Sequence, residues 1–303
     1  MVVRALGNSA ASFRDRFNRT GNRASKPFVV SFSASGGNVN GLEPGNGYKY
    51  HTFTGPGTFT VSGTTNNIEV LMVAGGGGGG DGGGGNGGGG GAGGVRFYPS
   101  LPISPGSYPI SVGGGGNGAP FFSTPGTAGT PTTAFGKTAT GGGHSNYAYT
   151  TVYSGGSGAA TNNQNPSAGT GNAGGNDPQA SPISEGNPGG PGGGGGAGDA
   201  GQPTRGGNGL QFPNFTGPLI GVPALAPLSG YYGGGGGSGF ESSNSTPGGL
   251  GGGGNGASRY APNGIVSTAG VQYSGGGGGG SSTSGTTLAQ PGGSGIVIIR
   301  YLA

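Results

Sequence analysis

Residues 75–94 read GGGGGGDGGGGNGGGGGAGG, interrupted only by Asp81, Asn86 and Ala92. A run of bare backbone has no hydrophobic face with which to fold. Fixing each residue costs roughly 1–2 kcal/mol, with glycine at the expensive end, while a backbone hydrogen bond returns about 0.5–1.5 kcal/mol net. Such a run is therefore either a flexible coil or a segment in which nearly every N–H and C=O is paired with neighbours of its own kind.

The distribution of glycine favours the second state. Further runs occupy residues 113–116, 141–143, 192–196, 233–237, 251–254 and 275–280. A linker occurs once or twice between domains, whereas these runs pervade the chain. Glycine forms extended threefold helices with a rise of about 3.1 Å per residue, akin to polyproline II. Packed side by side, with Cα–H···O contacts as a secondary term, such helices form a bundle whose core is backbone. The expectation is a polyglycine-II-like bundle across the glycine-rich core, 75–294.

Composition removes several classes. Glycine supplies 87 of 303 residues without a Gly-X-Y period, which excludes collagen, and charged residues are only 7%, too few for the usual charge-rich disorder. There is no cysteine, hence no disulfide, thiolate nucleophile or zinc–cysteine site. No apolar run approaches the roughly twenty residues of a membrane span, and residues 1–17 have no secretory apolar segment.

Charge is concentrated at the start. Six of the twelve basic residues, Arg4, Arg14, Arg16, Arg19, Arg23 and Lys26, precede residue 27, opposed only by Asp15. Residues 1–26 thus read as a basic N-terminal arm, and 27–303 as a nearly neutral glycine-rich β domain. Asn8 or Ser9 caps a short helix that places Phe13 and Phe17 on one face, with Asp15 and Arg19 paired on another. The arm is either a solvated tail or a docking segment that orders against another protein. Nucleic-acid binding by its arginines is the lesser alternative.

The remainder is β-rich. Strands are expected at 28–32 (FVVSF), at 48–54 and 58–61 as a hairpin through Gly55-Pro56-Gly57, at 68–73, 95–98 and 108–112, and at 295–301 (GIVIIRY). The last is β-branched in the manner of a mid-sheet strand. The expected class is all-β: a small antiparallel sheet or sandwich that gathers the termini and holds the glycine bundle.

Several stretches together resemble the glycine-rich domain of bacteriophage virion proteins, common in tail-fibre and other tail-associated proteins. They are YKYHTFT at 48–54, GTFTV at 57–61, IEVLMV at 68–73 running into polyglycine, PGSY at 105–108, VGGGG at 112–116, and GIVIIRY. The resemblance covers residues 48–303 in outline. Phage adhesins with stacked polyglycine II helices are a looser likeness. The inserts at 144–188 and 210–232 fit no known pattern, and the family brings no catalytic residue to carry over.

The residues themselves offer no chemistry. Matches to G-x-G-x-x-G arise by chance at this glycine content and lack the strand–turn–helix setting of a dinucleotide site. Gly136-Lys137-Thr138 has the tail of a phosphate loop, but its first glycine is replaced by Pro131. His51 and His144 are isolated in sequence, and eight scattered acids show no calcium-loop spacing. No catalytic residue, metal site or cofactor is assigned.

Aromatics supply the bulk that glycine lacks. Tyr147, Tyr149 and Tyr153 form one cluster outside the expected strands, and Phe212, Phe215, Tyr231 and Tyr232 form another. They either cover glycine surfaces or anchor an interface. The loops that carry them are the contact candidates for a second subunit or a host-surface receptor.

The expected function is a non-enzymatic structural part of a phage particle, exterior to the virion, tail-associated or in a tail fibre. It would be present in multiple copies, with homo-oligomers allowed. Docking to tail or capsid proteins is assigned to Arg4, Phe13, Arg14, Arg16, Phe17, Arg19 and Arg23. The alternatives are capsid decoration and, in other classes, an ice-binding protein or a host-surface-binding adhesin module. An ice binder would repeat small residues at every third position on a flat face, and the sequence shows no such register.

Overall fold

The computed structural model describes residues 31–82, 87–120, 124–145, 155, 183–184, 187–188, 192–239, 246–257, 266–282 and 288–303. Two antiparallel sheets face each other. The larger contains β2 (Val39–Leu42), β3 (Tyr48–Phe53), β5 (Asn66–Val73), β6 (Val95–Ile103), β10 (Ile183–Ser184) and β13 (Ile296–Leu302), in the order β10-β6-β5-β13-β3-β2. The smaller runs β1-β4-β7-β8-β9, from β1 (Ser33–Ser35), β4 (Gly57–Ser62), β7 (Gly106–Ser111), β8 (Thr132–Ala134) and β9 (Lys137–Ala139). A short ribbon pairs β11 (Leu210–Gln211) with β12 (Tyr231–Tyr232).

Alternation along the strands builds two apolar layers. Strand β13 lies between β5 and β3, antiparallel to both, as its β-branched sequence requires. Its Val297, Ile299 and Tyr301 join Val70, Met72, Phe53 and Phe59 between the sheets, whereas Ile296 and Ile298 face the other way, beside Leu71, Val73 and Tyr50. That outer face is covered by residues 210–232, whose 3-10 helices Pro213–Phe215 and Pro223–Leu228 bring Phe215, Ile220 and Leu225 onto it. The insert without a recognisable pattern is thus the lid of the second core.

Three strand expectations change. The chain from 48 to 61 is not a hairpin: β3 pairs with β13 and β2, while β4 pairs with β1 and β7 in the opposite sheet. Gly55-Pro56-Gly57 carries the chain across the sandwich, and Phe53 meets Phe59 edge-on at 6.5 Å from opposite layers. Period-two alternation looks the same whether the returning strand lies beside its predecessor or faces it. Among the described residues the first strand begins at Ser33; of the expected 28–32, residues 31–32 are not strand and 28–30 lie outside the described residues. The stretch between the expected strands 28–32 and 48–54, where no strand was expected, contains β2, disguised by Asn40 and Gly41, where the register shifts.

Beyond the sheets the glycine runs form the bundle. From Ala74 onward, successive N–H groups turn to three different neighbours with a period of three. Ala74, Gly77 and Gly80 donate to Gly94, Gly91 and Gly88; Gly75 and Gly78 to Thr130 and Thr127; Gly76 and Gly79 to Gly293 and Gln290. The carbonyls of the same segment accept from Gly142 and Ser145, from Gly116 and Ala119, and from Gly278 and Ser281. Residues 74–80 therefore have six neighbours: donation goes to 88–94, 127–130 and 290–293, all antiparallel, and acceptance comes from 116–119, 142–145 and 278–281, all parallel. This is the threefold backbone repeat of a polyglycine II helix.

Only glycine permits the spacing. A Cβ placed on Gly77 would overlap the carbonyl of Gly143, one on Gly76 that of Gly276, and one on Gly89 that of Gly236, all well inside the 3.0 Å that real Cβ atoms do not breach. In each case the obstacle is backbone, which cannot rotate away.

The bundle is continuous with the sheets. Strand β5 runs into 74–82 and 87–94 runs into β6. Strand β7 leads to 113–119, 126–131 to β8, β9 to 140–145, β12 to 233–239, and 288–295 to β13. The described parts of the long run, 75–82 and 87–94, are consequently two antiparallel helices. Residues 95–112, 132–139 and 210–232 lie inside the expected core 75–294 but belong to the sheets and their lid.

Candidate interaction site

Adjacent residues on a strand face opposite sides, and this divides the second aromatic cluster. Phe212, Phe215 and Tyr232 are buried in the outer core. They are held in mutual contact, with Phe212 and Phe215 at 6.5 Å and Phe212 and Tyr232 at 6.4 Å. Side-chain hydroxyls fasten the lid: Tyr50 donates to Asn214 O at 3.2 Å, Thr52 to Ile220 O at 2.8 Å, and Tyr232 to Phe215 O at 2.6 Å. Burial pushes the Tyr232 phenol far above its ordinary pKa, so it stays a donor. These three rings cover the sheet and are not surface anchors.

Tyr231 points the other way. With Leu228, Leu250 and Val271 it lines a groove of about 270 Å³ whose floor is the glycine backbone of residues 251–253. Leu250 stands 57% exposed on the rim and also borders a more open hollow of about 440 Å³ lined by Arg205, Asn208 and Pro247. Asn208 is fixed there: its Nδ2 donates to Asp199 at 3.0 Å and its Oδ1 accepts from Leu250 N at 3.0 Å. An aromatic wall, an aliphatic ridge and a side-chain-free floor suit surface contact.

The docking residues Arg4, Phe13, Arg14, Arg16, Phe17, Arg19 and Arg23 lie outside the described residues, as do Tyr147, Tyr149 and Tyr153. The pairing of β1 fixes where the described chain begins. Ser33 pairs with Ser62, and Val61 pairs with Gly106, the start of β7. The far end of β7 is the end that continues into the bundle. Residue 31 therefore sits at the end of the sandwich away from the bundle.

At the other extreme the glycines give way to hydroxyl residues. Asp81, Ser145, Ser238, Thr246, Ser281 and Ser282 are buried near the bundle's sheet-distal end, where Asp81 forms a bridge with Ser281. Among the described residues there is no cluster of histidines and acids that could hold a metal. No helix there is long and apolar enough to cross a membrane. Gly136 and the preceding Phe135, at φ 71° and 54°, form the two-residue turn joining β8 to β9, so the GKT stretch runs from a hairpin turn into a strand and is not a phosphate loop.

One ionic cluster escaped sequence reasoning. Arg300, 6% exposed on β13, reaches Glu69 across the strand pair at 2.8 Å and donates to Tyr50 at 3.3 Å. Its guanidinium lies 4.2 Å from the Tyr48 ring centre and 5.1 Å from that of Phe215. A lone arginine in IVIIRYL and a lone glutamate in NNIEVLMV were the available signals. Matching them requires the strand register.

Residues 51–302 match the protein family described as a glycine-rich domain. No curated protein gives a significant match to the chain.

Proposed function

The chain belongs to the glycine-rich domain family, and on that premise we propose that it is a non-enzymatic structural component of a bacteriophage particle, tail-associated or part of a tail fibre. The observation that carries this reading is the opposition of the two ends. The described chain begins at the end of the sandwich where Ser33 pairs with Ser62, and the sheet-distal end of the bundle lies beyond the opposite end. A docking segment at one end and a display surface at the other is the plan of a spacer. A bundle whose segments are hydrogen-bonded to neighbours on all sides has few soft modes, which suits a thin rigid body. The sequence likeness to phage virion proteins over 48–303 supports the same reading.

The arm docks to other virion proteins, the sandwich orients the body, and the bundle presents its outer end. The groove beside Tyr231 and Leu250 favours a second reading, a host-surface-binding adhesin module, which the first can accommodate. The test is quantitative mass spectrometry of purified particles made with the full chain or with residues 1–26 deleted, together with gold labelling of a tag at residue 303. The expected result is the full chain on the tail and a folded truncated chain missing from particles. Absence of the full chain from particles overturns the proposal, and label on the head replaces it with capsid decoration.

A further inference from the structure

His51 has no exposed surface, and its ring is engaged on both sides. Its Nδ1 lies 2.9 Å from the carbonyl of Gly36, which can only accept, so Nδ1 carries the proton. Its Nε2 then accepts from the Tyr301 hydroxyl at 3.2 Å. The imidazole stacks on Tyr301 at 5.7 Å and meets Phe59 edge-on at 5.2 Å. Both contacts lead to one short element. Gly36 directly follows β1, and Phe32, directly before it, packs edge-on against Tyr301 at 4.8 Å. Strand β1 is three residues long and, among the described residues, lies at a sheet edge and pairs only with β4.

We propose that His51 makes β1 a pH-sensitive latch: proton uptake by the imidazole releases residues 32–37 from the sandwich. A proton on Nε2 would face the Tyr301 hydroxyl, whose own hydrogen would lose its acceptor inside a closed layer. Among the described residues the new cation has no carboxylate to meet it. On its own strand the nearby charge is Lys49, paired with Glu43 at 2.8 Å; β13 offers the Tyr301 hydroxyl, β4 offers Phe59, and the turn and β2 offer backbone at Gly36 and Gly41. Arg300 and Glu69 lie on the opposite face of the sheet. Burial and Lys49 hold the imidazole below its ordinary pKa, in keeping with that geometry. The least costly way to hydrate the cation is to lift the short edge strand, because β3 and β13 are locked in mid-sheet.

The latch differs from global acid unfolding in where protection is lost. The test is hydrogen exchange by mass spectrometry on the full chain from pH 7.5 to 4.5, with rates divided by the intrinsic rate at each pH. Between the free imidazole value near 6.5 and the lowered closed-state value, opening of residues 32–37 should rise about tenfold per pH unit. Residues 296–302 should stay protected throughout. In His51→Gln, which keeps a neutral amide at the site, the slope should vanish. The proposal is overturned if residues 32–37 show no pH dependence in the wild-type chain, if they lose protection only together with β13, or if His51→Gln retains the wild-type slope. The wild-type profile alone decides the first two outcomes, so the test survives a variant that fails to fold.

Discussion

Ala74 donates its N–H to Gly94 O at 3.0 Å, one residue beyond the point where Val73 faces Val95 in the larger sheet. The β5–β6 pair thus passes into the glycine bundle without a break in pairing. What changes is periodicity. Within the strands, bonds alternate between two neighbours in one plane; past Ala74 they rotate among three. The side chains stop at the same place, since branched Cβ atoms suit a pleated surface and would collide inside a backbone lattice. The sheet sets the spacing of the first glycine helices, and those helices seat the others.

Substitution inside the lattice should therefore cost more than substitution at an open glycine. Gly77→Ala would drive its Cβ into the carbonyl of Gly143, and a loss of about 1–3 kcal/mol or more is expected. Gly55→Ala, at a position with nothing within 4 Å of the new Cβ, should be neutral within about 0.5 kcal/mol or slightly stabilising. Urea unfolding of the two variants beside the parent measures the contrast.

The Arg300–Glu69 pair should behave as a buried pair, not as a surface salt bridge. Glu69→Gln leaves a guanidinium at 6% exposure without its countercharge, and a loss of about 1–3 kcal/mol is expected. Adding Arg300→Met removes the stranded charge and keeps an apolar body against Tyr48 and Phe215, so the double variant should recover part of that loss. A double-mutant cycle that returns no coupling would show the two side chains to be independent.

The strands nearest the glycine boundary were legible because each is a run of apolar or alternating residues stopped abruptly by glycine or proline: 68–73 and 95–98 fall within the longer observed strands Asn66–Val73 and Val95–Ile103, sharing their ends at the glycine run, and 295–301 is one residue out of step with Ile296–Leu302. The bundle was legible for a different reason, since residues 75–94 leave only two physical outcomes. The pairing of strands was not legible, because Gly55-Pro56-Gly57 serves equally for a hairpin and for a crossing between sheets. The lid at 210–232 was hidden because its order comes from Phe215, Ile220 and Leu225 reaching a distant sheet, with no periodicity of its own. Tyr231 and Tyr232 looked equivalent in sequence; only the strand they share separates a groove residue from a core residue. The Arg300 cluster depended on register, which local sequence does not specify.

For the N-terminal arm, charge and apolar contributions to docking should separate by salt. Arg14, Arg16 and Arg19 changed together to Ala should weaken incorporation into particles and reduce its salt sensitivity, because exposed charges are screened over about 8–10 Å at ordinary ionic strength. Phe13→Ala should weaken it with that sensitivity retained. Incorporation of both variants at the normal copy number would move the attachment to the sandwich.

Whether glycine runs without side chains form an ordered backbone lattice is decided by the amides of residues 75–80. Each donates to a neighbour, at 2.9–3.1 Å from Gly75 to Gly80, and the segment is enclosed by six others. Amide-resolved hydrogen exchange at neutral pH should find all six protected to the level of the central strand β13, with no unprotected amide at any step of the three-residue repeat. Exchange at the rate of an unstructured chain across these residues, while β13 stays protected, would refute the lattice and leave the glycine runs as flexible loops hung on a β-sandwich.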